Sequence, residues 1–305
     1  MSFCSEVKSE ITAMKIERQC CKKALLNSAF AFFTTVTDDK IKMNIESKDV
    51  AEFLNIIINE IGGCPEGAIF KQAKNQKGYT FSLNKKDDIL KLSKKIGLIN
   101  KKINQVAGII DDNMSVNPCC QRSAVIGAFL VAGSVTNPDS GYHFEISNHR
   151  QDNLHKINEI LISMDFYPKI IKRGSDYVLY IKEKDTIADM LNYLGCKETF
   201  FEFHDAIILK DKKNQLNRMM NCENANMDKT VNAAVDQLMS IRSLIDNKIF
   251  ETLSDNLKEI ALLRLNNPEA SLNELAKMCS EPLSRSGVNH RLKKIIEIAK
   301  NYEGK

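Results

Sequence analysis

The chain has 305 residues, of which 43% are hydrophobic and 27% charged, and a formal net charge of +4. At roughly 100–200 residues per domain this length points to two or three domains, and the apolar content excludes global disorder. The longest apolar run, residues 124–135, is broken by glycines and too short for the roughly 18 residues of a membrane helix; the start Met1-Ser2-Phe3-Cys4-Ser5-Glu6 lacks the features of a secretory signal, so a cytoplasmic protein is expected.

The first 200 residues hold an internal repeat. Cys20-Cys21-Lys22-Lys23-Ala24-Leu25-Leu26-Asn27-Ser28-Ala29-Phe30 recurs 99 residues later as Cys119-Cys120-Gln121-Arg122-Ser123-Ala124-Val125-Ile126-Gly127-Ala128-Phe129. Tyr79-Thr80-Phe81-Ser82-Leu83 is answered by Tyr177-Val178-Leu179-Tyr180-Ile181, and Gly97 by Gly195, both at an offset of 98. Matched segments in the same order mean duplication.

The first copy, about 18–110, begins with a helix over 18–33. A strand pair including Ile41–Glu46 follows, then an amphipathic helix over Val50–Ile61. A second strand pair ends in Tyr79–Leu83 behind the turn Lys77-Gly78, and a short helix closes near Gly97. The second copy, about 117–205, repeats this with a helix over 118–132, a strand Tyr142–Ser147, a helix Asn153–Met164, a strand Tyr177–Lys182 behind Arg173-Gly174, and a closing helix near Gly195. The expected fold is α+β, αββαββα twice over, in a domain spanning 1–209.

Residues 210–222 are polar and basic and read as a linker; 223–305 read as all helix. Met227, Val231, Ala234, Val235, Leu238, Ile241 and Ile245 mark one long amphipathic helix, with Cys222 a packing or capping position at its start. Ser254 is the expected N-cap of a helix over Asp255–Leu265, which Asn267-Pro268 ends. Ser271-Leu272-Asn273-Glu274 is a capping box. After the turn Cys279-Ser280-Glu281-Pro282 a last helix runs from Ser284 to Tyr302, so the span Ser271 to Tyr302 has helix-turn-helix geometry.

Positive charge is concentrated in three stretches, Lys71–Lys102, Lys210–Arg218 and Leu283–Lys294, a plausible footprint for a polyanion. On the last helix Val288, Leu292, Ile295, Ile296 and Ala299 are expected to face the core. Arg285, Asn289 and Lys293 form a second stripe, with Ser286, His290 and Lys294 beside it and no acid between Pro282 and Glu297. Arginine pairs bidentately with guanine and asparagine with adenine in the major groove, whereas lysine suits phosphate. Double-stranded DNA is the expected partner. Arg285, Ser286, Asn289, His290, Arg291, Lys293 and Lys294 would contact it, joined by Lys212, Lys213 and Arg218 from the linker, with further phosphate contacts from the Lys-rich stretch Lys71–Lys102 of the first repeat.

Ile126-Gly127-Ala128-Phe129-Leu130-Val131-Ala132-Gly133-Ser134 resembles the LAGLIDADG motif of homing endonucleases. The resemblance implies two such helices packed on a pseudo-two-fold axis, each ending in an acid that binds the metals that cut DNA. Here the acid positions fall on Ala132 and Phe33, neither of which offers the oxygen ligands Mg²⁺ demands. Asp38, Asp39 and Asp139 lie beyond the helix ends and read as turn residues.

Four further segments are distinctive: Gly127–Val135 with Asn137-Pro138, Gly141-Tyr142-His143-Phe144-Glu145-Ile146, Asn217-Arg218 with Asn221–Asn226 and Lys229-Thr230, and Ser286–Ile295. Through them the chain resembles, over nearly its whole length, the WhiA family of bacterial DNA-binding regulators of sporulation and cell division. The resemblance implies a degenerate LAGLIDADG domain joined to a helix-turn-helix similar to region 4 of sigma factors. It also implies no nuclease activity and a role in transcription, cell division and chromosome segregation. The first repeat departs from the pattern, with Thr34-Thr35 where the second has Gly133-Ser134.

Other residue groups point nowhere in particular. No C-x-x-C occurs, so the nine cysteines are expected to be free and mostly buried thiols. His143, His149 and His155 are six apart, off the i,i+4 spacing of a helical metal pair. His204-Asp205 lacks an activated nucleophile. The expectation is therefore no enzyme, cofactor or metal, and a nucleoid-associated location. The competing reading is an interaction scaffold that docks a transcription or cell-division protein, with DNA binding secondary. The oligomeric state is left open.

Overall fold

A computed structural model describes residues 2–36, 40–62, 70–72, 78–100, 105–106, 110 and 117–303. The chain divides into two compact units, Met1–Asp211 and Lys212–Lys305. An opening helix absent from the sequence reading, α1 (Phe3–Ala13), is N-capped by Ser2 and buries Phe3, Val7 and Ile11.

The two repeats then follow with the same grammar. The first is α2 (Gln19–Phe33), β1 (Thr34–Val36), β2 (Ile41–Ile45), α3 (Lys48–Ile61), β3 (Lys71–Gln72), β4 (Tyr79–Leu83) and α4 (Lys86–Ile96). A small antiparallel pair, β5 (Ile99–Asn100) and β6 (Gln105–Val106), intervenes. The second repeat is α5 (Pro118–Ala132), β7 (Gly133–Val135), β8 (Phe144–Asn148), α6 (Gln151–Ile162), β9 (Lys169–Arg173), β10 (Asp176–Ile181) and α7 (Lys184–Leu194). The sheets have matching antiparallel orders, β1-β2-β4-β3 and β7-β8-β10-β9. Phe30 meets Phe81 edge-on at 5.4 Å, and its equivalent Phe129 stacks on Phe144 at 5.0 Å, so each long helix seats an aromatic ring on its own sheet. Gly97 and Gly195 end α4 and α7 in the left-handed conformation that glycine adopts without strain.

Helices α2 and α5 pack face to face at the centre. Their approach is set by Gly127, where an added Cβ would lie 2.2 Å from the carbonyl oxygen of Leu25. A helix end leaves carbonyls without intrahelical partners. At the end of α2 the second repeat supplies those partners: Asn153 Nδ2 donates to Ala31 O at 2.9 Å and Asn148 Nδ2 to Phe32 O at 2.8 Å. Both amides are buried, so the helix end is closed by uncharged donors from the other copy.

Residues 210–222, read above as a linker, are helical throughout. They lie inside α8, which runs from Lys197 to Asp246. The segment has no Pro or Gly, and its Lys, Gln, Arg, Met and Leu are good helix formers; polarity keeps a helix in water without breaking it. Cys222 is thus mid-helix. The first turn of α8 is held by Glu10 of α1, whose carboxylate accepts from Glu198 N at 2.8 Å and Thr199 N at 3.1 Å. Of the apolar stripe on α8, Ile241 is buried, but Met227, Val231, Val235 and Ile245 are exposed.

The second unit continues with a short 3-10 turn at Phe250–Thr252, then α9 (Asp255–Asn266), α10 (Leu272–Met278) and α11 (Arg285–Glu303). Its core gathers Ile241 and Leu244 of α8, Leu257, Ile260 and Ala261 of α9, Leu275 of α10, and Val288, Leu292, Ile295 and Ala299 of α11. The capping box forms as expected: Ser271 N donates to Glu274 Oε2 at 2.7 Å and Glu274 N to Ser271 Oγ at 3.3 Å. Arg264 is 2% exposed, and its Nη1 donates to Ala270 O at 2.6 Å and Pro268 O at 3.3 Å, which fixes the α9–α10 turn. Arg264→Met should keep the apolar stem but lose these charged donors, lowering the stability of the C-terminal unit by about 1.5–3 kcal/mol. Denaturant unfolding of the full chain checks this, and an unchanged C-terminal transition would show that the turn holds without Arg264.

Candidate nucleic-acid interface

Helix α11 starts where Ser284 can cap it: Gly287 N donates to Ser284 Oγ at 3.2 Å. Val288, Leu292, Ile295 and Ala299 turn inward as expected; Ile296 is only half-buried, and Ile298 packs on the core instead. Opposite them Arg285, Ser286, His290, Lys293 and Lys294 are exposed. The turn before α11 is tied to α9 by Ser280 N, which donates to Glu259 Oε1 at 2.6 Å. Hydrogen bonds from Ser280 hold the Glu259 carboxyl below its usual range.

The expected recognition face divides in two. Arg285 and Asn289 line a groove of about 810 Å³, together with Lys229, Thr230 and Gln237 of α8 and the α9–α10 turn, and Asn289 is half-buried there. Ser286, His290, Lys293 and Lys294 point away from the core along the outer side of α11. Arg291 is half-buried and its Nη1 reaches Asn256 O at 3.5 Å, so it also braces α11 against α9.

Lys212, Lys213 and Arg218 are all exposed on α8. At about 100° per residue Arg218 lies well around the helix from the two lysines, so the three do not form one stripe. Of the Lys71–Lys102 run, Lys85 precedes α4 and Lys86, Lys91, Lys94 and Lys95 sit on that helix. Lys74, Lys77, Lys101 and Lys102 lie outside the described residues. Among the described lysines of the run, most are therefore on a helix, with only Lys71 on a strand.

The two residues expected at the acid positions, Phe33 and Ala132, are the last residues of α2 and α5. Asp139 is a turn residue: its N–H donates to Asn137 Oδ1 at 2.8 Å and its carbonyl accepts from Lys210 Nζ. Asp38 and Asp39 lie outside the described residues. On the second sheet Glu145 sits 2.9 Å from His143 Nε2 and 3.0 Å from Arg173 Nη1. Burial alone would raise its carboxyl, but these two partners outweigh burial and hold it below the usual range. The group is thus a neutralised cross-strand cluster.

Among the described residues one set of side chains could share an ion, Cys20, Cys21, Cys119 and Cys120, and His143, His149, His155 and His204 belong to no such set. The cysteine doublets are not at C-x-x-C spacing. The only sequence signal for their meeting is that they occupy equivalent places in the two repeats. The eight described cysteines are free, with only Cys21, Cys120 and Cys196 buried, fewer than expected.

Comparison with known proteins agrees with this layout. The model of the WhiA LAGLIDADG-like domain matches residues 121–213, and that of the WhiA C-terminal HTH domain matches residues 216–299. The probable cell division protein WhiA of Caldicellulosiruptor saccharolyticus is 32% identical over 308 residues, covering 98% of this chain and 95% of the relative. That of Ruminiclostridium cellulolyticum is 35% identical over 312 residues, covering 98% and 97%. The crystal structure of full-length WhiA from Thermatoga maritima shares the fold with a TM-score of 0.61 at 23% identity, covering 99% of both chains. That of the N-terminal LAGLIDADG domain of WhiA matches 65% of this chain and 94% of the other, with a TM-score of 0.51 at 18% identity. Among the described residues no helix is long and apolar enough to cross a membrane. With a duplicated LAGLIDADG-like unit, a helix-turn-helix unit behind it and relatives aligned from end to end, the chain belongs to the WhiA family.

Proposed function

We propose that this protein binds specific sites on double-stranded DNA, regulates transcription linked to sporulation, cell division or chromosome segregation, and does not cut DNA. The observation that carries the reading is the acid-free stretch of α11 from Arg285 to Ile296, with Arg285 and Asn289 in the groove beside α8 and Ser286, His290, Lys293 and Lys294 exposed on its outer side, on a helix held by a capped helix-turn-helix. Arg285 and Asn289 read bases, helped by Ser286 and His290. Lys293, Lys294 and Arg291, with Lys212, Lys213 and Arg218 on α8, meet phosphates. The relatives' names, probable cell division protein, support the cellular role, and the protein works on the nucleoid. A protein-docking role beside DNA binding is favoured by the exposed apolar residues Met227, Val231 and Val235 on α8.

The test is salt dependence. Each phosphate contact releases condensed counterions, so log K falls with log salt by about 0.9 per contact. Lys212→Gln with Lys213→Gln should weaken specific and non-specific DNA alike and flatten the slope by roughly one to two units, leaving site preference unchanged. Neutralising Lys85, which precedes α4, with Lys86, Lys94 and Lys95 on it separates the two readings: the slope flattens further if the N-terminal unit also tracks DNA, and stays as it was if that unit docks a protein. An unchanged slope in the first variant removes Lys212 and Lys213 from the interface.

Cleavage is the second test. With Phe33 and Ala132 at the acid positions, plasmid incubated with the protein and Mg²⁺ or Mn²⁺ should stay intact. Reproducible cutting, abolished by Asp38→Asn, Asp39→Asn or Asp139→Asn, would show that other acids have taken over the metal.

A further inference from the structure

Cys20 and Cys21 lie in the first turn of α2, and Cys119 and Cys120 in the first turn of α5. Because α2 and α5 pack on each other about the pseudo-two-fold, the doublets meet, and all four Sγ atoms lie within 4.8 Å of one another. A tetrahedral Zn²⁺ thiolate site has Zn–S bonds of about 2.3 Å, which puts its sulfurs roughly 3.8 Å apart. Contraction by at most about 1 Å would close the site. We propose that these four cysteines bind one Zn²⁺ ion as a closed structural tetrathiolate that fastens α2 to α5 at the end opposite Phe33 and Ala132.

The surroundings favour thiolates. The four cysteines sit in the first turns of two helices, where the helix dipole places partial positive charge. Arg18 Nη1 lies 3.6 Å from Cys119 Sγ. Zinc is held by thiolates, so its binding displaces the thiol protons and affinity should rise with pH. Ala24 and Ile16 give the site a dry wall. Four sulfurs this close suit a single ion and leave no room for a cluster of several irons, and four soft ligands leave no open position for substrate. The absence of C-x-x-C is no obstacle, because the helix pair provides the convergence that a knuckle provides in a zinc ribbon.

The test uses the full chain purified in reducing buffer without chelator. Elemental analysis should find one zinc per chain, with neither iron nor inorganic sulfide. Cys20→Ser with Cys119→Ser should lose the zinc, and Cys222→Ser should keep it. If the double variant fails to fold, the wild-type protein still decides. Replacing zinc by Co²⁺ should give the thiolate-to-cobalt charge-transfer band and the intense visible bands of a tetrahedral site. Titration with a mercurial should release the zinc as four thiols react. The proposal is overturned by any of three results: no stoichiometric zinc and no cobalt–thiolate band in reduced, zinc-supplemented protein; iron with inorganic sulfide; or, in a second preparation isolated anaerobically without reductant, a disulfide joining the two doublets.

Discussion

Gly127→Ala should destabilise the N-terminal unit by about 3 kcal/mol. Alanine in the middle of a helix is ordinarily worth about 1 kcal/mol over glycine. Here the new methyl would lie 2.2 Å from Leu25 O, 3.0 Å from Leu25 C and 3.2 Å from Ala29 N. All three are backbone atoms of α2, which cannot swing aside as a side chain would, so the two central helices must separate. Separation opens the dense packing around Leu25, Ala29, Ala124 and Ala128, all at most 2% exposed. It would also strain the Asn148 and Asn153 bonds that close the end of α2. Gly141→Ala is the control: nothing lies within 4 Å of its added Cβ, and it should change stability by no more than about 0.5 kcal/mol. Denaturant unfolding of both variants measures the contrast, and equal stability would mean that α2 and α5 are farther apart than described.

Arg285→Ala and Asn289→Ala should each cost about 1–3 kcal/mol at the preferred DNA site, a factor of roughly 5 to 150, and relax the choice of base at one position. Non-specific binding should fall little for Asn289→Ala, which removes no charge. Arg285→Lys sharpens the test: it keeps the positive charge and loses the planar fork, so a base-reading arginine should not be rescued by lysine. The groove position of Asn289 supplies the competing outcome. If Asn289→Ala lowers the unfolding midpoint and leaves the base preference unchanged, this side chain supports the groove beside Lys229 and Gln237. Reading would then pass to Ser286 and His290 on the outer side of α11. Selection of binding sites from a random DNA pool, run on each variant, separates these results.

The duplication, the helix and strand periods and the capping signals were legible in the residues. Their causes are local: Ser271 and Glu274 are three apart and cap each other wherever the chain goes, and glycine ends α4 and α7 in both copies for the same backbone reason. Phe33 and Ala132, the acid positions that the resemblance implies, lack oxygen ligands in any fold. Three features had to wait for the tertiary structure. Residues 210–222 carry no burial pattern, and a polar run without breakers suits a solvated helix and a loop equally, so their place in α8 was hidden. The split of the α11 face arose because α8 and the α9–α10 turn stand beside Arg285 and Asn289, and a helical wheel of α11 alone does not contain those neighbours. Cys20 and Cys119 are 99 residues apart, and spacing says nothing about which helices pack. Only the close approach of α2 and α5, permitted by the missing side chain of Gly127, brings four sulfurs to one point.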